Sequence, residues 1–293
     1  MAASLQDIQR RIASTSKTRQ ITSAMQMVST AKLSQIQRHG GSYTVYSDAL
    51  HDVVAHLATA HINNVKGTLL EQRRVTKVGF LVISSDRGLV GGYNSTLLKE
   101  VMAEITRRQL TTDQVVILAV GGNGADFFKK RGFDVAYEYR GVSDVPTFDE
   151  VREIVQMATT MYDNEVFDEL NVAYQHYVSR ISNEVHLEKM LPVSTDDLVE
   201  SKDETKFTAD YEMEPSAEQI LSIVLPQYAE SLVYGTILDA KTAEHAASAN
   251  AMSSATDNAK EIIDSLGLKY NRARQSAITT EITEITGGMA ALN

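Results

Sequence analysis

The residues best suited to chemistry lie between Ser84 and Asn94, in the run SSDRGLVGGYN. It follows an apolar, strand-like segment and enters a helix-like one. A glycine-rich turn in that setting can point free N–H groups at a phosphate. Asp86, Arg87 and Gly88 would then belong to the alternative function, a phosphate- or nucleotide-binding α/β protein with a coiled-coil appendage. The details weigh against it. The pattern GxxxxGK[ST] is absent, and the first lysine after these glycines is Lys99. A second run, GGNGADFF, supplies Gly121, Gly122 and Gly124, but Phe127 stands where GxGxxG needs its third glycine. Both runs read better as tight strand-to-helix connections.

His51, His56 and His61 recur every five residues. On a helix each is turned about 140° from the last, so they cannot converge on one metal and read as solvated helix positions. Glu281 and Glu284 share a helix face, but acid–base work needs a cleft that raises one pKa, and beside an isoleucine stripe they read as flanking charges. No nucleophile elbow, HExxH or serine–histidine arrangement is present. No catalytic residue, metal ligand or cofactor site is therefore expected.

The elements around these runs are clearer. Val78–Ser84 (VGFLVIS) and Val115–Val120 (VVILAV) are continuous apolar runs of the kind buried parallel strands show. Helices are expected over Asn94–Gln109, Ala125–Arg131 and Thr147–Asp163, and a third strand over Asp134–Tyr139. Alternation in Leu170–Val178 and Val185–Leu191 predicts a hairpin turning near Arg180–Ser182.

The four prolines are Pro146, Pro192, Pro215 and Pro226, so both ends of the chain can be long helices. Leu5, Ile8, Ile12 and Thr15 step by 3, 4, 3; Ile21, Ala24, Val28 and Ala31 repeat the spacing after a phase shift, and helix continues through Leu57. Gly40–Gly41 is a candidate kink. From Met252 through Thr256, Ala259, Ile263, Leu266, Tyr270 and Ala273 to Ala277 the steps are 4, 3, 4, 3, 4, 3, 4, and Ile278, Ile282, Ile285, Met289 and Leu292 carry a 4, 3, 4, 3 stripe on to an end uncharged from Ile285. This is coiled-coil spacing, and the expected seam includes Ile263, Leu266, Ile278, Ile282 and Ile285. The expected fold is α/β: a long antiparallel coiled coil of N- and C-terminal helices plus a central Rossmann-like α/β domain. Its expected parts are an N-terminal coiled-coil helix (1–60), the central domain (75–193), an acidic linker (194–214) and a C-terminal coiled-coil helix (215–293).

Charge sets further bounds. The 293 residues carry a net charge of −10, which disfavours nucleic acid as a partner. Residues 1–40 carry Arg10, Arg11, Lys17, Arg19, Lys32 and Arg38 against Asp7. Residues 194–214 carry eight acids against two lysines. There is no cysteine, hence no disulfide or thiolate metal site. No apolar run approaches the ~20 residues that span a bilayer, and residues 1–30 lack the apolar core of a signal peptide. Membrane contact is expected only through other proteins.

Three blocks are similar to one family. RIASTSKTRQITSAMQMVSTAKL (Arg11–Leu33), SSDRGLVGGYN (Ser84–Asn94) and YNRARQSAITTEITEITGG (Tyr270–Gly288), in this order and over nearly the whole chain, resemble the gamma subunit of F-type ATP synthases in its bacterial form. The resemblance implies a non-catalytic rotor, or central stalk, of a proton-driven ATP synthase. Its coiled coil would turn inside a ring of three alpha and three beta subunits, and its globular domain would sit on the membrane c-ring beside epsilon, at the cytoplasmic face of the cell membrane. Proton transport would drive ATP synthesis, with nucleotide chemistry left to beta. The basic N-terminal helix would face acidic segments of beta. Met25, Arg274, Gln275, Thr279 and Glu281 match positions that couple to beta. The chain departs from the family at Ser248–Ala249, where an arginine–methionine pair is common, at Met289, where alanine is usual, and at Gly122–Asn123, a commonly basic pair. The cysteine-bearing insert of chloroplast forms and a transit peptide are missing, which suits a bacterial enzyme.

Overall fold

In the computed structural model, residues 4–59, 69, 71–193 and 217–291 are described. The acidic stretch 194–214 and Leu292 lie outside them, as does His61. The elements are α1 (Leu5–Thr59), β1 (Val78–Ile83), α2 (Tyr93–Arg107), a 3-10 turn (Thr112–Gln114), β2 (Val115–Val120), α3 (Gly122–Lys129), β3 (Asp134–Tyr139), α4 (Phe148–Asp163), β4 (Glu169–Tyr177), β5 (Asn183–Leu191) and α5 (Ala217–Ala291). The chain divides into two compact units. One joins residues 1–29 to 249–293, and the other is residues 30–248.

The larger unit holds one five-stranded sheet in the order β3-β2-β1-β4-β5. The first four strands are parallel, and β5 returns antiparallel to β4 as the expected hairpin. Every residue of β1 and β2 is buried, which is why neither strand shows polar alternation. Successive side chains serve opposite faces. Phe80 and Val82 pack with Leu97, Val101 and Ile105 of α2 and Phe128 of α3. Leu81 and Ile83 pack with Ile154, Ala158 and Tyr162 of α4 and with Tyr228, Val233 and Ile237 of α5. α4 starts at a capping box, with Thr147 Oγ1 accepting from the Glu150 N–H at 3.3 Å and Glu150 Oε2 accepting from the Thr147 N–H at 2.9 Å.

In this unit α1 and α5 run antiparallel. A Cβ added to Gly40 would touch Leu238, Tyr43 bonds Ser231, and His51 Nδ1 lies 3.1 Å from the Tyr228 hydroxyl. His51 is thus a helix-contact residue rather than a solvated one. α1 passes through Gly40 and Gly41 without interruption, because each glycine costs only ~1 kcal/mol against alanine and its neighbours are helical. α5 likewise tolerates Pro226.

In the smaller unit, Thr22 and Thr256 share a hydroxyl–hydroxyl bond of 2.8 Å. Here one expectation fails. Thr22 and Ser29 are buried, whereas Ile21 and Val28 are exposed beside Met27. The heptad begun at Leu5, Ile8 and Ile12 never shifts phase. It continues through Thr15, Thr22, Gln26 and Ser29 and, in the larger unit, through Leu33, Ile36, Gly40, Tyr43 and Ser47, all buried or half-buried. Polar and small side chains occupy much of this seam, so counting apolar residues picked the neighbouring stripe.

Candidate functional site

At the carboxyl ends of β1 and β2, where parallel α/β sheets bind ligands, the chain fills the place itself. Asp86 accepts the Gly122 N–H at the start of α3 (2.9 Å) and the Gly141 N–H (2.8 Å). Ser84 Oγ accepts the Gly124 N–H at 2.9 Å. Asn94 Oδ1 takes the Ser85 N–H at 3.0 Å, and Asn123 Nδ2 donates to the Ser85 carbonyl at 2.8 Å. The N–H groups of Ser85, Gly122, Gly124 and Gly141 are thus held by side chains. Above them Tyr93 donates to the Ala240 carbonyl of α5 at 2.9 Å. Each glycine run connects a strand to a helix, β1 to α2 and β2 to α3.

Nearby, a polar cluster, buried at Lys241 and His245 and open at Asp144, joins three segments. Lys32 of α1 bonds Asp144, His245 Nε2 lies 3.3 Å from the same carboxylate, and Lys241 pairs with Glu244 at 3.0 Å. Burial pushes Glu244 up, and the Lys241 ammonium offsets only part of that. Burial also raises Asp144, but Lys32, with His245 and Lys241 behind it, more than reverses this. His245 is lowered to about 4, first by burial, against the pull of Asp144 and with the push of Lys241 and Lys32. Its Nε2 has no hydrogen-bond partner among the described residues. A histidine depressed in the folded state stabilises fully above its unfolded pKa, and that contribution is lost as pH falls from about 6.5 towards 4. His245→Gln is therefore expected to flatten the loss of stability over that window by up to roughly 3 kcal/mol. Urea midpoints at pH 7 and pH 5 check this, and an unchanged acid slope would contradict it.

The smaller unit carries the surface of interest. Leu5 lies seventeen residues before Thr22, so in an antiparallel pair it comes level with Ala273, seventeen after Thr256. Burial agrees with this limit. Met252 and Ala259 are buried, Ile263, Leu266, Tyr270, Ala273 and Ala277 are half-buried, and every residue from Ile278 to Met289 is exposed. Ile278, Ile282, Ile285 and Met289 show 46, 58, 64 and 61% of their surface. Ile263 and Leu266 are half-buried along the stretch that runs beside α1, whereas Ile278, Ile282 and Ile285 lie past the level of Leu5, where no described residue covers them. Their heptad spacing was legible; the lack of a partner among the described residues followed only from the register.

Arg274, Gln275, Thr279 and Glu281 are exposed on the same overhang, with Thr279 Oγ1 donating to the Gln275 carbonyl at 2.9 Å. Met25 is half-buried on α1, level with about position 253, hence ~30 Å from Arg274 at 1.5 Å per residue. The five residues form two separate surfaces. Glu281 and Glu284 stand exposed on the helix. Among the described residues, no group of three or more histidine or acidic side chains could hold a metal ion.

A family model described as ATP synthase matches residues 4–292. A protein of Levilactobacillus brevis named ATP synthase gamma chain is 59% identical, covering 100% of both chains. One of the same name from Lactiplantibacillus plantarum is 58% identical over 99% of each. Among solved structures, a chain of the Euglena gracilis mitochondrial ATP synthase superposes with a TM-score of 0.67 at 15% identity, covering 98% of this chain and 94% of that one. A chain of the Tetrahymena thermophila central stalk and c-ring gives 0.60 at 21% identity, covering 80% and 99%. At such identities these two speak for the fold, while the full-length relatives carry the kinship. The chain belongs to the gamma-chain family of the ATP synthases.

Proposed function

We infer that this chain is the central-stalk rotor of a proton-driven ATP synthase, passing rotation between the membrane ring and the catalytic ring. The observation that carries this is the overhang of α5. Water is a poor setting for a lone helix that exposes three isoleucines and a methionine in one stripe. A stripe of this kind needs a sleeve, and the ring of alpha and beta subunits would supply it. No side chain from Ile285 to Asn293 is charged, so this stretch can turn against the sleeve without breaking side-chain ion pairs. Arg10, Arg11, Lys17 and Arg19, all exposed on α1, suit acidic segments of beta. Met25 would meet beta at one level of the shaft, and Arg274, Gln275, Thr279 and Glu281 at another. The sheet-bearing unit would contact epsilon and the c-ring.

Catalysis stays in beta on this reading, in keeping with the self-filled turn at Asp86. Among the described residues no helix is long and apolar enough to cross a membrane, which fits a peripheral subunit at the cytoplasmic face, held there by its partners. Co-expression with alpha, beta and epsilon tests the reading. Native mass spectrometry is expected to find one copy per three alpha and three beta, and a bead on the chain to rotate when ATP is added. A stable complex without this chain's rotation would refute it. Met25→Lys is expected to lower protons pumped per ATP severalfold while assembly persists, since it adds a cation at the contact with beta. An unchanged ratio would remove Met25 from that contact.

A further inference from the structure

The α1 seam in the sheet-bearing unit poses a problem of register. A heptad pattern is nearly self-similar, so sliding one helix by seven residues, about 10 Å at 1.5 Å per residue, brings seam onto seam again. In coiled coils a single odd residue commonly decides between such alternatives. Around Gly40, Tyr43 and Ser47 the α1 seam offers little apolar bulk to choose among them.

One contact does discriminate. Tyr43 reaches across to α5, where its hydroxyl donates to the Ser231 carbonyl. A Cβ added at Gly235 would stand 2.6 Å from Tyr43 Oη and 3.0 Å from its Cζ, so the ring occupies the space of an absent side chain. The ring is also walled in. Tyr234 lies against it at 5.0 Å between centroids, Phe148 of α4 lies against Tyr234 at 5.7 Å, and the Tyr234 hydroxyl donates to the Pro146 carbonyl at 3.2 Å. The next glycine along α5 is Gly267. A slide of one heptad would set Tyr43 against Tyr228 or Thr242 instead, and neither leaves a hole.

We propose that Tyr43, seated in the gap at Gly235, is a positioning residue that fixes the register of the antiparallel helices α1 and α5. The absence of cysteine allows a clean test in the full-length chain. Gly40→Cys with Leu238→Cys reports the native register, and Gly40→Cys with His245→Cys reports a slide of one heptad. In the parent background the first pair is expected to form its disulfide at least tenfold faster than the second. Tyr43→Ala is expected to reduce that preference about tenfold, and Tyr43→Phe to preserve it, because the ring still fills the hole. Should Tyr43→Ala not fold, Gly235→Ala is the milder change and is expected to erode the preference likewise. Full native preference in the folded Tyr43→Ala chain, or in Gly235→Ala where it is the one used, overturns the proposal. So does an equal loss in Tyr43→Phe, which would assign the effect to the hydroxyl alone. The assay concerns this chain alone, so its outcome is separate from whether the assembled complex rotates.

Discussion

Ile282→Asp is expected to leave the isolated chain as stable as the parent and to abolish function in the complex. In the free chain Ile282 is 58% exposed, with no partner helix at that level among the described residues, and surface substitutions of this kind usually change stability by less than ~0.5 kcal/mol. Inside an apolar sleeve the same carboxylate would be buried without a counter-charge, at a cost of several kcal/mol. A loss of that size lowers association or coupling by about a hundredfold or more. Thermal melts of the free chain, with ATP-driven proton pumping in inverted vesicles, separate the two effects. Ile282→Leu is the control and should pump normally. Parental pumping by the aspartate variant would place Ile282 outside any sleeve.

Gly121→Ala is expected to be the most damaging single methyl in the sheet-bearing unit. Gly121 has φ +97°, and a Cβ there would lie 2.1 Å from the Ser84 carbonyl oxygen. That oxygen sits at the end of β1, where the Ser84 N–H is bonded to the Val120 carbonyl at 2.8 Å, so it cannot retreat without breaking the β1–β2 ladder. Backbone strain and steric overlap together should cost about 3 kcal/mol or more. Gly132→Ala isolates the strain component, because Gly132 has φ +78° with nothing within 4 Å of the added carbon; it should cost about 1 kcal/mol. Urea denaturation followed by far-UV circular dichroism compares the two. Equal losses would mean that the Ser84 carbonyl yields easily.

Much of the fold was legible in the chain because burial on both faces leaves an unbroken apolar run. The runs VGFLVI and VVILAV became adjacent parallel strands for that reason, and the turn at Arg180–Ser182 joins β4 to β5. Asp134–Tyr139 was readable though only partly buried, because it follows a helix and a glycine. The α1 seam was misread beyond Thr15 because Thr22, Gln26 and Ser29 bear no apolar signal, while Ile21, Met27 and Val28 face outwards. On α5 the spacing of Ile278, Ile282 and Ile285 showed that they want cover but not whose. That distinction depends on where α1 starts relative to Thr256. Two other features were beyond periodicity. Asp86 satisfies the start of α3 from 36 residues away, and Tyr43 finds Gly235 across 192 residues of chain. Only the folded arrangement brings such partners together.

The bare overhang of α5 also bears on how the subunit is kept in supply. From Ile278 to Met289 every residue of α5 is exposed, and no described residue supplies a second strand of the coil or a polar coat on the isoleucine side. A lone helix of that length is marginal in water, so before assembly it should fray and offer chaperones and proteases an apolar handle. Copies made in excess of their partner subunits would then be cleared, and the exposed stripe would also meter how many copies a cell retains.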